Sequence, residues 1–256
     1  MNTNNIKSNV AQGRTSVGVF ISSGAPSIVE TVGVSGYDFV IIDSEHGSTD
    51  VGVVEHLIRA AETVNVTPLV RIADISRTNI LRVLDLGAMG ILVPMLETAE
   101  QAMDAVAYSK YPPFWPNGRR GVAFRRAGRY GDINAVDFFK WANDQCIVAI
   151  QIETRAGMEN LSEILKVDGI DLVFIGPSDL SQSLGYPGNA NHPDVKAAVR
   201  SIAEASMKAG KIAAVMPTSP GDVEEYLRMG VQCILSGNEY ALIRKSATEF
   251  VRSVRG

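Results

Sequence analysis

The stretch IVAIQIETRAGMENLSEILKVDGIDLVFIGPSD, residues 147–179, carries two apolar, β-branched runs, IVAIQIE at 147–153 and DLVFIG at 171–176, on either side of a longer intervening segment. Strand, helix, strand is the unit from which parallel sheets are wound, because a parallel return requires a crossover. Both runs end in polar groups: Gln151 and Glu153 close the first, and Gly176, Pro177, Ser178 and Asp179 end the second.

Runs of the same kind recur outward in both directions. They are SVGVFI (16–21), YDFVIID (37–43), TPLVRI (67–72), GILVPM (90–95), KIAAVM (211–216) and QCILSG (232–237), which makes eight. Between them lie stretches with helical spacing and helix-end signals, such as SRTNILRVLDLG, with Ser76 as the N-cap and Gly87 as the stop, and TAEQAMDAVAYS, opened by Thr98. Eight β/α units in about 250 residues predict an eight-stranded parallel β/α (TIM) barrel. The alternative is an open doubly wound sheet, but no Gly-x-Gly-x-x-Gly follows the first run to support a dinucleotide site.

One connection is long. Between residues 95 and 147 lies YPPFWPNGRRGVAFRRAGRYGD, rich in proline, glycine, arginine and aromatics, and structureless loops of that size usually serve function or subunit contacts. No linker-like tract or repeat divides the chain, so residues 1–256 are expected to form a single barrel domain.

Composition narrows the function. The chain has 256 residues, 46% hydrophobic, enough for a substantial core, and a net charge of −4 that offers no basic footprint for nucleic acid. No apolar run reaches the length of a membrane span and the first residues lack a signal-like apolar core, so a cytoplasmic protein with no membrane partner is expected. Cys146 and Cys233 sit in apolar runs without metal spacing and read as reduced core residues.

Active sites of β/α barrels lie at the C-terminal ends of the strands. Here those ends read Asp43-Ser44-Glu45-His46, Arg71, Gln151-Ile152-Glu153 and Gly176-Pro177-Ser178-Asp179. A lone carboxylate at a strand end can equally be a helix cap or a surface ion pair, but several together point to a site. Gln151 and Glu153, two apart, share one side of their strand, and an inward-facing charge requires compensation. A divalent cation is the economical compensation: Glu153 and Asp179, from adjacent strands, leave positions free for water and a bidentate substrate. With no cysteine cluster or spaced histidine pair, Mg²⁺, Mn²⁺ or a similar ion is expected rather than zinc.

The 176–179 turn opens a helix, where backbone N–H groups can receive a carboxylate or phosphate; the plainer reading is a turn capped by Ser178 or Asp179. Arg71 is either a structural ion-pair partner or a fork suited to an enolate's oxygens. Histidine is the residue type here that ordinarily titrates near neutrality, which singles out His46 at the barrel mouth. His56, in a helical stretch, and His192, in a loop, read as structural.

With these residues in place the chain resembles the HpcH/HpaI aldolase family. The resemblance rests on DFVIIDSEHGSTD, PLVRI, RVLDLGAMGILVPMLETAEQA, YPPFWPNGRRGV, IQIETRAGMENL and DLVFIGPSDLSQSLGYPGNANHPDV, in that order over nearly the whole chain. It implies a class II aldolase that reversibly cleaves a 4-hydroxy-2-oxo acid to pyruvate and an aldehyde. A divalent ion (Mg²⁺, Mn²⁺ or Co²⁺) would sit on Glu153 and Asp179. Gln151, Gly176, Pro177, Ser178 and Asp179 would bind the pyruvate moiety, Arg71 would stabilise its enolate, and His46 would move the proton of the 4-hydroxyl. Asp85 matches a family aspartate that raises the basicity of this histidine, and Asp43 and Glu45 match as well. The resemblance further implies a homohexamer. That matters for Asp85, which lies near the end of a helix after the third strand, away from its own barrel mouth, and so would reach His46 only from a neighbouring subunit. The segment GVAFRRAGRYG is shorter than in the family, so the resemblance says least about the aldehyde.

Three rivals remain at this level. A Schiff-base aldolase needs a pocket lysine, and no lysine falls at the C-terminal end of a predicted strand. The same residues would serve carbon–carbon bond formation or oxaloacetate decarboxylation. A non-catalytic keto-acid-binding barrel is compatible with the fold alone.

Overall fold

The computed structural model describes residues 1–256. Its strands, β1 (Ser16–Ile21), β2 (Phe39–Asp43), β3 (Thr67–Arg71), β4 (Gly90–Val93), β5 (Ile147–Ile152), β6 (Leu172–Ile175), β7 (Ile212–Val215) and β8 (Cys233–Asn238), close in chain order into a barrel. Every neighbouring pair is parallel, β8 with β1 included. The eight predicted runs match these strands to within two residues at either end.

Helix α1 (Asn5–Ala11) precedes β1, and α2 (Pro26–Val34), α3 (Val51–Thr63) and α4 (Arg77–Asp85) follow β1, β2 and β3 in turn. Between β4 and β5 lie α5 (Ala99–Ser109) and α6 (Ala135–Gln145), and between β5 and β6 the short α7 (Arg155–Glu159) and α8 (Leu161–Ile164). Helices α9 (Pro177–Ser183) and α10 (Pro193–Lys208) lead to β7, α11 (Asp222–Met229) leads to β8, and α12 (Glu239–Arg255) ends the chain. Ser76 caps α4 through Asn79 N–H, Gly87 takes a positive φ just past that helix, and Thr98 and Gln101 form a capping box on α5, as the helix-end signals predict.

Strand parity divides the core in two. Phe39, Ile41, Leu69, Leu92, Ala149, Leu172, Phe174 and Leu235 fill the barrel, while the alternate residues, Val40, Ile42, Val70, Ile91, Val148, Ile150 and Val173, pack beneath the helices. Each buried Val, Leu, Ile or Phe among them contributes about 1.5–3 kcal/mol of transfer free energy. Gly18 makes room inside the barrel: a β-carbon there would lie 2.2 Å from the Phe39 ring.

The amphipathic reading did not reach α1, which closes the N-terminal end of the barrel with the fully buried Ile6. Asn4 fixes it by donating to Met89 O and Gln145 O, each at 3.1 Å. The signal was there, in a cappable Asn4 ahead of an Ile6/Val10 pair one turn apart. The long connection after β4 also differs from expectation, since its second half is helix α6, capped by Asn134. Tyr111 packs on Phe138 and Phe139 of that helix at centroid distances of 5.9 and 4.4 Å, and Lys110 Nζ donates to Asn143 O and Cys146 O. Both cysteines are free and buried, and no helix is long and apolar enough to cross a membrane.

Candidate active site

Register brings the first pair together. Asp43 and Arg71 are partners across β2 and β3, both at inward positions at the C-terminal end. Arg71 donates from Nε to Asp43 Oδ1 at 2.9 Å and from Nη2 to Oδ2 at 2.7 Å, and its Nη1 lies 3.2 Å from Glu45 Oε2. Its guanidinium also covers the Phe20 ring, 4.8 Å from the centroid. Burial works to raise Asp43, but the hydrogen bonds and charge of Arg71, with the amides of His46 and Glu45, overcome it and hold this carboxyl below its ordinary range. Glu45 goes the other way, raised by burial and by the nearby Asp43 and Asp179 against the pull of Arg71 and His46.

His46 stands at the rim with a largely exposed ring whose Nε2 is 3.8 Å from Glu45 Oε2. Asp43 reaches it only through the backbone amide, at 3.2 Å. The turn is tight because Gly47 permits it: a β-carbon there would sit 2.2 Å from Asp43 O.

On the other side of the mouth, Gln151 and Glu153 continue the inward parity of β5, as their spacing predicts. Glu153 Oε1 accepts from Met95 N at 2.8 Å, and Oε2 accepts from Gln151 Nε2. Neither partner of the Glu153 carboxylate is a lysine or arginine. Burial pushes the Glu153 carboxyl up to about 7, Met95 and Gln151 oppose that, and the negative charges of Asp179 and Glu45 add to it. Gln151 Oε1 is buried without a hydrogen-bond partner.

The plainer alternative for the 176–179 turn, a cap by Ser178 or Asp179, is not what forms at the start of helix α9. Gly176 is the N-cap and no side chain caps the helix. Pro177, with its fixed φ, takes the first helical position and moves the boundary back to residue 176. Ser178 and Asp179 therefore fall in the first turn, where both are exposed.

These elements surround one cavity of 360 Å³, lined by Asp43, His46, Arg71 and Gln151 from one side and by Gly176, Pro177, Ser178 and Asp179 from the other. Asp179 also lines a neighbouring cavity of 610 Å³ that contains Glu153, so it stands between the two. Sequence reading missed Phe20, Ser22, Met216 and Asn238, which also line the first cavity. They lie at the ends of β1, β7 and β8, and none carries a charge or a titratable group that would single it out in the sequence.

Asp85 is not part of this constellation within one chain. It is the last residue of α4, which runs back along the barrel, and so lies at the opposite end from the mouth. There it faces Arg120 at 3.6 Å, and burial raises it despite that guanidinium. The segment after Arg120 lies at the same end, where Arg126 binds Glu62 and Leu86 O. It does not border this chain's own cavity. His56 is exposed on α3, and His192 caps α10 and stacks on Tyr186 at 3.6 Å, in keeping with structural roles.

A closed parallel barrel with carboxylates and a guanidinium gathered at its C-terminal mouth is the framework of a β/α-barrel enzyme. Residues 16–245 match the model of the HpcH/HpaI aldolase/citrate lyase family. The chain is 38% identical to 2-keto-3-deoxy-L-rhamnonate aldolase of Klebsiella pneumoniae over 92% of its length and 87% of that enzyme, and 36% identical to the Escherichia coli O157:H7 enzyme of the same name over the same shares. Among solved structures it is similar to an HpcH/HpaI aldolase/citrate lyase family protein from Burkholderia cenocepacia (TM-score 0.92, 30% identity, 99% of this chain and 100% of that one). It is also similar to citrate synthase SbnG (TM-score 0.88, 31% identity, 97% and 96%). The chain belongs to the HpcH/HpaI aldolase/citrate lyase family. It is an enzyme of the carbon–carbon lyase class.

Proposed function

We propose that this enzyme reversibly cleaves a 4-hydroxy-2-oxo acid, of the 2-keto-3-deoxy sugar acid type, to pyruvate and an aldehyde, with a divalent ion (Mg²⁺, Mn²⁺ or Co²⁺) on Glu153 and Asp179. The observation that carries this reading is Glu153: a buried carboxylate raised to about 7, with Asp179 adding negative charge and no protein cation among its partners. The donor set fits a hard cation, being all oxygen, and the buried, partnerless Gln151 Oε1 adds polar capacity beside it. No group of three or more histidine, cysteine, aspartate or glutamate side chains converges here, so the two carboxylates would leave room for substrate oxygens.

When bound, the ion supplies a Lewis acid for the keto oxygen. The backbone at 176–179 and the side chain of Gln151 orient the carboxylate end of the substrate. Arg71, held in place by Asp43, sets a guanidinium where enolate charge grows, worth roughly 3 to 4 kcal/mol by analogy with the loss of an oxyanion-hole donor. His46, at the solvent rim, takes the 4-hydroxyl proton and returns it in the reverse direction. The imine alternative lacks its residue: the one buried lysine, Lys110, is held by two carbonyls outside the cavity.

The likeness to citrate synthase SbnG favours, as a second reading, the same site working toward carbon–carbon bond formation. The test is a product assay in both directions, with pyruvate or oxaloacetate and a set of hydroxyaldehydes, after chelation and after adding back each ion. Cleavage is expected to vanish on chelation and return with Mn²⁺, Mg²⁺ or Co²⁺. Full activity after verified metal removal would sink the reading, and so would a borohydride-trapped lysine adduct with pyruvate. A homo-oligomer, a hexamer by the family resemblance, remains part of the proposal, because Asp85 could reach His46 only from another copy.

A further inference from the structure

Glu239 is the first residue of α12 and the only buried one in that helix, at 2% exposure. It does not cap its own helix, since Asn238 does that through Ala241 N–H. Instead its carboxylate turns to the end of β1. Both oxygens accept from Ser22 N, at 2.9 and 3.1 Å, and Oε1 accepts from Ser23 N at 2.6 Å. Its partners are thus two backbone amides rather than a cation. Burying a carboxylate costs desolvation, which here is offset by the two amides and by the positive end of the α12 dipole, since Glu239 lies in the first turn of that helix. Charge-assisted hydrogen bonds to two successive amides do fix a backbone more firmly than neutral ones.

What is fixed adjoins the proton-transfer side of the cavity. Ser22 itself lines the cavity. Ser22 O accepts from Ser48 N at 3.3 Å, and Ser22 Oγ lies 3.5 Å from Asp43 Oδ2. Gly47 is wedged between the same two strand ends, since a β-carbon there would meet Asp43 O at 2.2 Å and Ser22 O at 3.1 Å. The end of β1 is therefore the wall against which the turn carrying His46 rests. The keto-acid side, built from Arg71, Gln151 and residues 176–179, is carried on β3, β5 and the start of α9.

We propose that Glu239 is a positioning residue for His46: it holds the end of β1, and that end sets the His46-Gly47-Ser48 turn. This rests on the aldol reading of the site, in which His46 moves the hydroxyl proton. Loss of the Glu239 tie then impairs cleavage more than proton exchange at the methyl of pyruvate. The Ser48 and Gly47 contacts of Ser22 bear directly on the His46 turn, whereas Arg71 is reached only through the 3.5 Å contact of Ser22 Oγ with Asp43.

The test uses the intact, metal-loaded enzyme and the near-isosteric Glu239→Gln, with Glu239→Asp, which keeps the charge but falls one methylene short, as a second variant should the first fail to fold. Each is measured for aldol cleavage, for entry of solvent deuterium into pyruvate, for melting temperature and for the backbone amide resonances of Ser22, His46 and Gly47. The expected result is a cleavage kcat lower by about 10- to 10²-fold, as for a misplaced catalytic group, with a clearly smaller loss of exchange and displaced His46 and Gly47 amides. Wild-type cleavage, a parallel fall of cleavage and exchange, or unmoved His46 and Gly47 amides overturns the proposal. If the wild-type enzyme cleaves no 4-hydroxy-2-oxo acid, the functional reading fails by itself, and the amide shifts still decide whether Glu239 sets the turn.

Discussion

Gly176 faces Glu153 so closely that a β-carbon on residue 176 would lie 2.6 Å from Glu153 Oε2 and 3.1 Å from Gln151 Nε2. Its φ of −86° is open to any residue, so glycine is required here by proximity and not by backbone strain. Gly176→Ala should therefore fold but push Glu153 out of line. The expected outcome is a divalent-ion affinity at least about 10-fold weaker, the scale seen when a ligand's support is lost, with a melting temperature near that of wild type. Titration of the metal-free variant by calorimetry checks this, and unchanged affinity would show that Glu153 holds no ion.

Glu153 also ties stability to pH. Its folded-state value, about 7, lies above the ordinary 4.5, so between those values the folded chain keeps a proton that the unfolded chain has released. By linkage, the metal-free protein loses stability as pH rises through that window, by on the order of 3 kcal/mol from this group. Glu153→Gln removes the ionisation, so metal-free Glu153→Gln should gain on metal-free wild type between pH 5 and pH 8. Urea unfolding of the two proteins across that range is the measurement. A constant difference would mean that the carboxylate is already compensated without an ion.

Asp85 is separated from His46 by the height of the barrel, and its partner there is Arg120. If a neighbouring copy brings this carboxylate to the mouth, Asp85→Asn and His46→Ala each inactivate a site assembled from two chains. Mixed oligomers of the two inactive variants would then regain activity, because some sites receive both native residues. Co-expression with different affinity tags, purification of the mixed species and an aldol assay test this. No recovery in a verified mixed oligomer would confine Asp85 to its pairing with Arg120.

The barrel was legible because each strand is a short β-branched run, and the mouth was legible because Asp43, Arg71, Gln151 and Glu153 share the inward parity that such runs impose. What stayed hidden has physical causes. Glu239 acts on two backbone amides, which no side-chain pattern announces. Helix α6 was obscured by the proline- and glycine-rich stretch ahead of it, although Asn134 and the spacing of Phe138 and Ala142 mark a helix facing the core. The start of α9 was open to two readings because Ser178 and Asp179 are good capping residues in general, whereas Pro177 decides where this helix starts.

Arg71 and His46 can be separated by two assays, because forming the enolate of pyruvate and breaking the aldol bond make different demands on the site. Both steps gather negative charge on the enolate oxygen, and Arg71 is buried beside the cavity with its fork oriented by Asp43. Arg71→Ala should therefore depress methyl proton exchange and aldol cleavage alike, by roughly 10²- to 10³-fold as for an oxyanion-hole donor. Removal of the 4-hydroxyl proton belongs to cleavage alone. His46→Ala should slow cleavage by roughly 10²- to 10⁴-fold, the usual span for a general base, and leave exchange less affected. The exposed ring, 3.8 Å from Glu45, makes this loss one of chemistry and not of folding, since little packing goes with it. Solvent deuterium entering pyruvate is followed by NMR beside aldol turnover, with metal content verified in each variant. Wild-type exchange in Arg71→Ala would end the enolate role of this guanidinium. Normal cleavage in His46→Ala would move the search for the base to Asp43, Glu45 and water.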